Sequence, residues 1–205
     1  MQFVCLDLEG VLVPEIWIEV ARRTGSADLS RTTRDEPDYD KLMRYRLGIL
    51  EREKVRLADL QGVIEGMQPF NGARDFLDAL RERYQVLILS DTFYEFAAPL
   101  MRRLGRPTLL CHRMETNAAG FVSDYRLRIP EQKCAAVRAL QALNFRVIAA
   151  GDSYNDTAML AAADTGIFFH PPQAIAAQFP QFRVTQSYAE LDAAIDAAAH
   201  PGKSL

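Results

Sequence analysis

Cysteine is scarce in this 205-residue sequence: Cys5, Cys111 and Cys134 are odd in number and share no paired spacing. They indicate neither a disulfide framework nor a zinc site, and buried free thiols are the expectation. Long apolar runs are also missing. The N-terminal run that meets Asp7 is too short for a signal peptide or a membrane span, so a cytoplasmic location without a membrane partner is expected. Lysine and arginine form no stripe and the net charge of −3 is mild, which argues against a nucleic-acid partner. His112, His170 and His200 lack ligand-like spacing and receive no role.

With 49% hydrophobic and 25% charged residues, the chain falls among soluble globular proteins. Its length exceeds the roughly 100 to 150 residues of one typical domain and leaves room for an α/β core plus a small insertion. Residues 2–8 form an unbroken apolar run ending in acid, the mark of a strand buried on both faces of a parallel sheet. Comparable runs occupy 86–89, 147–150 and 167–169. Helical spacing recurs at 73–83, behind a predicted Asn71 cap, and at 132–143. This alternation predicts a parallel α/β sheet, and three strand ends carry Asp7, Asp91 and Asp152 where such sheets bind ligands.

Residues 15–68 break the alternation. Helical segments are predicted at 16–24, 39–53 and 57–67 with no strand between them, hence a helical cap over a core made of 1–14 and 69–205. Asn117-Ala118-Ala119-Gly120 predicts the turn of a β-hairpin within 111–127, and the Ala-rich stretch 192–200 reads as a simple surface helix.

Asp7 and Glu9 sit two positions apart, so in extended geometry they face the same way, with Gly10 allowing a sharp turn after them. At an ordinary pKa of about 3.9 Asp7 is ionised, whereas Glu9 near 4.3 is only about 0.2% protonated at neutral pH. For Glu9 to donate a proton, burial and neighbouring carboxylates must raise it toward about 6 or 7. Alone, the pair reads more readily as two acids in a solvated turn. Gly151-Asp152-Ser153-Tyr154-Asn155-Asp156 changes that balance with two more carboxylates at a strand end. Asp7, Asp152 and the Glu9 backbone carbonyl would suit magnesium (Mg2+), with Asp156 behind them, and Asn155 could donate to a phosphate oxygen. Ser90 and Asp91 begin a loop with a hydroxyl and backbone donors, and Lys133 brings a positive charge. Each of these has an ordinary reading as a turn, cap or solvated residue.

Together, Asp7-Leu8-Glu9-Gly10-Val11-Leu12, Ser90-Asp91-Thr92, Lys133 and Gly151-Asp152-Ser153-Tyr154-Asn155-Asp156 resemble, in order and spacing, the four motifs of the haloacid dehalogenase superfamily. The resemblance spans almost the whole chain. It implies a Rossmann-like core with a helical cap, Asp7 as nucleophile, Ser90 and Lys133 on the phosphoryl group, and Asp152 on magnesium. Glu9 stands where the superfamily usually has aspartate, and Ser90-Asp91-Thr92 where phosphoserine phosphatases usually have Ser-Gly-Gly. With those departures, residues 7–17, 89–96 and 148–157 resemble the branch that hydrolyses phosphoserine and also transfers its phosphoryl group to homoserine. That branch implies Glu15 on the substrate ammonium and Arg46 on its carboxylate, and it admits a homodimer. Without it, Arg46 reads as one charge of a solvated helix face, and Trp17 and Phe93 read as packing. Activity on another small phosphomonoester, a receiver-like phosphoacceptor domain and a catalytically silent binding module stay open as rivals.

Overall fold

The computed structural model describes residues 1–33, 35–36 and 38–201. Among these, strands β1 (Gln2–Leu6), β2 (Gln85–Phe93), β3 (Thr108–Thr116), β4 (Val122–Arg126), β5 (Arg146–Gly151), β6 (Thr165–Phe169) and β7 (Arg183–Thr185) form one sheet in the order β4-β3-β2-β1-β5-β6-β7. All neighbours are parallel except β3 and β4, which form the expected antiparallel hairpin. The architecture is therefore α/β with a Rossmann-like parallel core, as expected.

Side chains alternate across the strands and sort into two cores. Val4, Leu6, Ile88, Ile148, Ala150 and Phe169 face one side, with helices α4 (Ala73–Arg83), α5 (Tyr94–Arg103) and α9 (Tyr188–Ala199). Cys5, Leu87, Leu89, Val147, Ala149 and Phe168 face the other, with α6 (Gln132–Ala142), α7 (Thr157–Ala162) and α8 (Gln173–Gln178). Being covered on both faces explains the continuous apolar runs. All three cysteines are buried and free. No helix among the described residues is long and apolar enough to cross a membrane.

Three readings need correction. The helix ending at Ala199 is not a simple surface helix, because Leu191, Ala194, Ile195 and Ala199 are buried against the sheet. Gly72, at φ +81°, caps α4 in place of Asn71, since the chain enters that helix through the left-handed region. Ser90-Asp91-Thr92 lies inside β2 and not in a loop after it, although the pairing with β3 shifts register between Leu89 and Phe93.

Between β1 and α4 the chain builds α1 (Ile16–Thr24), α2 (Tyr39–Arg52) and α3 (Leu57–Glu65), with a short 3-10 turn at Ala27–Ser30. Val20, Leu29, Met43, Leu50, Leu60 and Ile64 turn inward and join the first core. The insertion also touches the hairpin, through Leu57 N–H to Gly120 O at 3.0 Å and Arg44 Nη1 to Asp124 Oδ1 at 2.7 Å.

Candidate active site

Asp7 directly follows β1, the central strand, and its N–H still donates to Ala150 O at 2.9 Å in the ladder with β5. The carboxylate accepts from Leu8 N–H at 2.7 Å, and the chain then turns at Gly10, φ +77°. A Cβ on Gly10 would lie 2.3 Å from Asp152 Cγ, so the glycine serves both the turn and the close approach of the two acidic segments. Gly10→Ala is expected to cost at least about 1–2 kcal/mol from backbone strain alone and to displace Asp152. Urea denaturation checks the first effect, and the affinity of the chain for a divalent cation, measured by calorimetry, checks the second.

Lys133, in the first turn of α6, is buried among carboxylates: Asp156 Oδ1 at 2.7 Å, Asp7 Oδ1 at 3.0 Å and Asp91 Oδ2 at 3.6 Å. Burial works against its charge, but Asp156, Asp7 and Asp91 outweigh it and hold the ammonium pKa well above the usual lysine value. The second Asp156 oxygen accepts from the N–H groups of Asp152 at 3.0 Å and Ser153 at 3.1 Å. Asp156 therefore fixes both the lysine and the loop that carries Asp152.

Oxygens of Asp7, Asp152 and Asp156 lie within 4.8 Å of one another. Burial and then Asp156 push the Asp7 carboxyl well above its usual range despite Lys133, and the same two causes bring Asp152 to about 7. The expectation of an Asp7 ionised at its ordinary pKa is thus altered by burial: one lysine alone is too little positive charge for this cluster, and a divalent cation bound there would favour the Asp7 carboxylate. An all-oxygen, negatively charged donor set of this kind fits a hard divalent cation. Because Lys133 and backbone N–H groups already engage both Asp156 oxygens, Asp7 and Asp152 are the better direct ligands.

Glu9 Oε1 accepts from Ile16 N–H at 2.7 Å. Burial, reinforced by Glu15, raises its carboxyl to about 8, so Glu9 carries a proton at neutral pH, as a proton donor must. Arg46 does not lie on a solvated face. It is buried, its guanidinium carbon is 4.5 Å from the centre of the Trp17 ring, and Nη2 donates to Arg31 O at 2.5 Å. Burial lowers its pKa to about 10, which leaves it charged, and its buried Nε has no hydrogen-bond partner among the described residues. Trp17 packs edge-on against Phe96 at 5.2 Å and also lines the cavity, whereas Phe93 is core.

These groups converge on a cavity of about 900 Å3 lined by Asp7, Glu9, Glu15, Arg46, Ser90, Asp91, Lys133, Asp152 and Asn155. Of the ten candidate site residues, Asp156 alone is not in its wall. A family model described as haloacid dehalogenase-like hydrolase matches residues 1–164. This chain belongs to the haloacid dehalogenase-like hydrolases. It is 56% identical over 191 residues to a phosphoserine phosphatase of Pseudomonas syringae pv. tomato, covering 93% of this chain and 81% of the relative. It is 55% identical over 191 residues to phosphoserine phosphatase ThrH of Pseudomonas aeruginosa, covering 93% of each. The crystal structure of a phosphoserine phosphatase from T. onnurineus, 23% identical, superposes with a TM-score of 0.73 over 95% of this chain and 94% of that one, which is a likeness of fold.

Within this haloacid dehalogenase-like site, Asp91 has more partners than the sequence suggests. Its carboxylate faces Asn155 Nδ2 at 3.3 Å, Gln132 Nε2 at 3.4 Å, Lys133 Nζ at 3.6 Å and His112 Nε2 at 3.6 Å. Burial opposes its charge, but Lys133, and then His112 and Asn155, hold its carboxyl well below the usual range. Asn155 sits in a 3-10 turn, Tyr154–Asp156, and donates one of its two amide hydrogens to Asp91. Tyr39, Gln132 and His112 had no sequence signal: His112 arrives through the pairing of Phe93 with His112 across β2 and β3, and Tyr39 from the inserted helix.

Proposed function

We propose that this chain is a magnesium-dependent phosphoserine phosphatase working through an aspartyl-phosphate on Asp7, and that it also transfers the phosphoryl group to homoserine. The observation that carries the reading is one cavity whose wall holds the buried Asp7–Lys133 pair, 3.0 Å apart, together with Glu9, Glu15 and Arg46. Glu15 and Arg46 complement the ammonium and carboxylate of a phosphorylated amino acid. The two Pseudomonas relatives named phosphoserine phosphatase support the same donor. Residues 15–68 would act as a cap over the core of 1–14 and 69–205.

In this mechanism an Asp7 oxygen attacks phosphorus in line, and the bond from phosphorus to the serine oxygen breaks. Glu9 gives its proton to that oxygen, and serine leaves. Lys133 and the Ser90 hydroxyl hold the phosphoryl oxygens throughout. Glu9, now a carboxylate, then takes a proton from water or from the homoserine hydroxyl, whose oxygen attacks phosphorus and frees Asp7. Magnesium, held by Asp7, Asp152 and the Glu9 carbonyl, would supply positive charge opposite the phosphoryl oxygens when bound.

The test is to incubate the chain with phosphoserine and magnesium, with and without homoserine, and to quantify serine, phosphate and phosphohomoserine together. Serine release that stops on chelation is expected, with phosphohomoserine replacing part of the phosphate when homoserine is present. Phosphate alone leaves a simple phosphatase. An absence of serine release rejects the donor.

A further inference from the structure

The pairing of β2 with β3 is regular through Leu89 and resumes only at Phe93, so residues 90–92 fall where the ladder is irregular. Unpaired backbone groups inside a fold need other partners. Here two side chains supply them: Gln132 Nε2 donates to Ser90 O, and Tyr39 Oη donates to Asp91 O at 2.8 Å. Gln132 belongs to α6, beside Lys133. Tyr39 comes from the far side, as the first residue of α2 in the helical insertion.

The Asp91 carbonyl and the Thr92 N–H belong to one planar peptide unit, so fixing one end fixes the other. Thr92 N–H donates to Ser90 Oγ at 3.2 Å. A serine hydroxyl has one proton and two lone pairs. With one lone pair held by Thr92, its proton is free to point at an oxygen in the cavity, on the same wall as Lys133.

We infer that Tyr39 is a positioning residue for phosphoryl transfer: its hydroxyl, delivered by the inserted helix, orients the Asp91–Thr92 peptide and through it the Ser90 hydroxyl. The inference rests on the phosphoryl-transfer reading of this cavity but not on phosphoserine as donor. The Tyr39 ring packs against those of Tyr125 and His112, at 6.0 and 6.1 Å between centroids, which holds the ring in place while its hydroxyl reaches Asp91 O in β2. Burial, and next the charge of Asp91, push the phenol pKa well above its ordinary value, so it remains a donor across the working pH range.

Tyr39→Phe removes the hydroxyl and keeps the packed ring. Turnover is compared with phosphoserine and with p-nitrophenyl phosphate, which has no amino-acid end, alongside inhibition by orthovanadate and the melting temperature. The control is Tyr125→Phe, which strips a neighbouring hydroxyl that donates to exposed Asp40. Tyr39→Phe is expected to lower kcat on both donors roughly threefold to tenfold, the worth of one hydrogen bond. Vanadate inhibition should weaken by a similar factor, KM for phosphoserine should change less than kcat, and Tyr125→Phe should leave all of these unchanged. Loss confined to phosphoserine would overturn the inference by assigning Tyr39 to the amino-acid end. Unchanged p-nitrophenyl phosphate turnover and vanadate inhibition would overturn it as well. A wild-type chain that hydrolyses p-nitrophenyl phosphate but not phosphoserine would reject the donor while leaving the Tyr39 comparison intact.

Discussion

Asp7→Asn is expected to reduce phosphoryl transfer by at least about 10,000-fold, the scale on which losing a covalent nucleophile acts. The amide is nearly isosteric and still accepts from Leu8 N–H, so the change falls on the chemistry and not on the turn. Stability should be retained or raised, because the substitution removes one carboxylate from a buried cluster where Asp7, Asp152 and Asp156 crowd together. Steady-state turnover and thermal melting of the same preparation check the two halves. An Asp7→Asn chain that turned over at more than about one per cent of wild type would be incompatible with losses of that size.

The second large effect is predicted for Lys133→Ala. Lys133 is the ammonium against both Asp7 and Asp156, and all three side chains are buried. Removing one partner from a buried ion pair typically costs about 3–5 kcal/mol, because the charge left behind has lost its compensation. The carboxyls would respond by holding protons more tightly, so the nucleophile is weakened along with the grip on phosphate. A loss of activity of about 1,000-fold is expected, at the upper end of what deleting one preorganised donor produces. Magnesium should restore part of the lost stability in Lys133→Ala, since it adds positive charge to the same cluster, but little of the activity. Melting curves with and without magnesium, read beside turnover, separate these outcomes.

Much of this site is legible in the sequence for a physical reason. A strand covered on both faces must be apolar throughout, so a carboxylate at its end stands out, and Asp7 and Asp152 are visible in that way. Helices α1 and α4 match their predicted limits because Ile16, Trp17 and Val20, and Phe76, Leu77 and Leu80, repeat at helical spacing on a buried face. The Ala-rich last helix misleads because its alanines look the same in sequence whether they face solvent or, like Ala194 and Ala199, the sheet. Strand β7 is three residues long with two of them exposed, too short to carry a period.

Three polar neighbours of the Asp91 segment were illegible for another reason. His112, Gln132 and Tyr39 lie on three separate elements, and only strand register and the packing of α2 over the sheet bring them together. Arg46 is a related case. The other basic residues of α2, Lys41, Arg44 and Arg52, are exposed, and the burial of Arg46 follows from the turn of α2 that places it over Trp17.

The claim on which everything else depends is that Asp7 carries the phosphoryl group. The most direct measurement is a rapid acid quench of the chain turning over phosphoserine labelled with radioactive phosphorus, followed by peptide mapping. Label that resides on the peptide containing Asp7, is lost in mild base as an acyl phosphate, and is absent from Asp7→Asn is the predicted result. Turnover without label on the protein, or label on any other residue, would contradict the account.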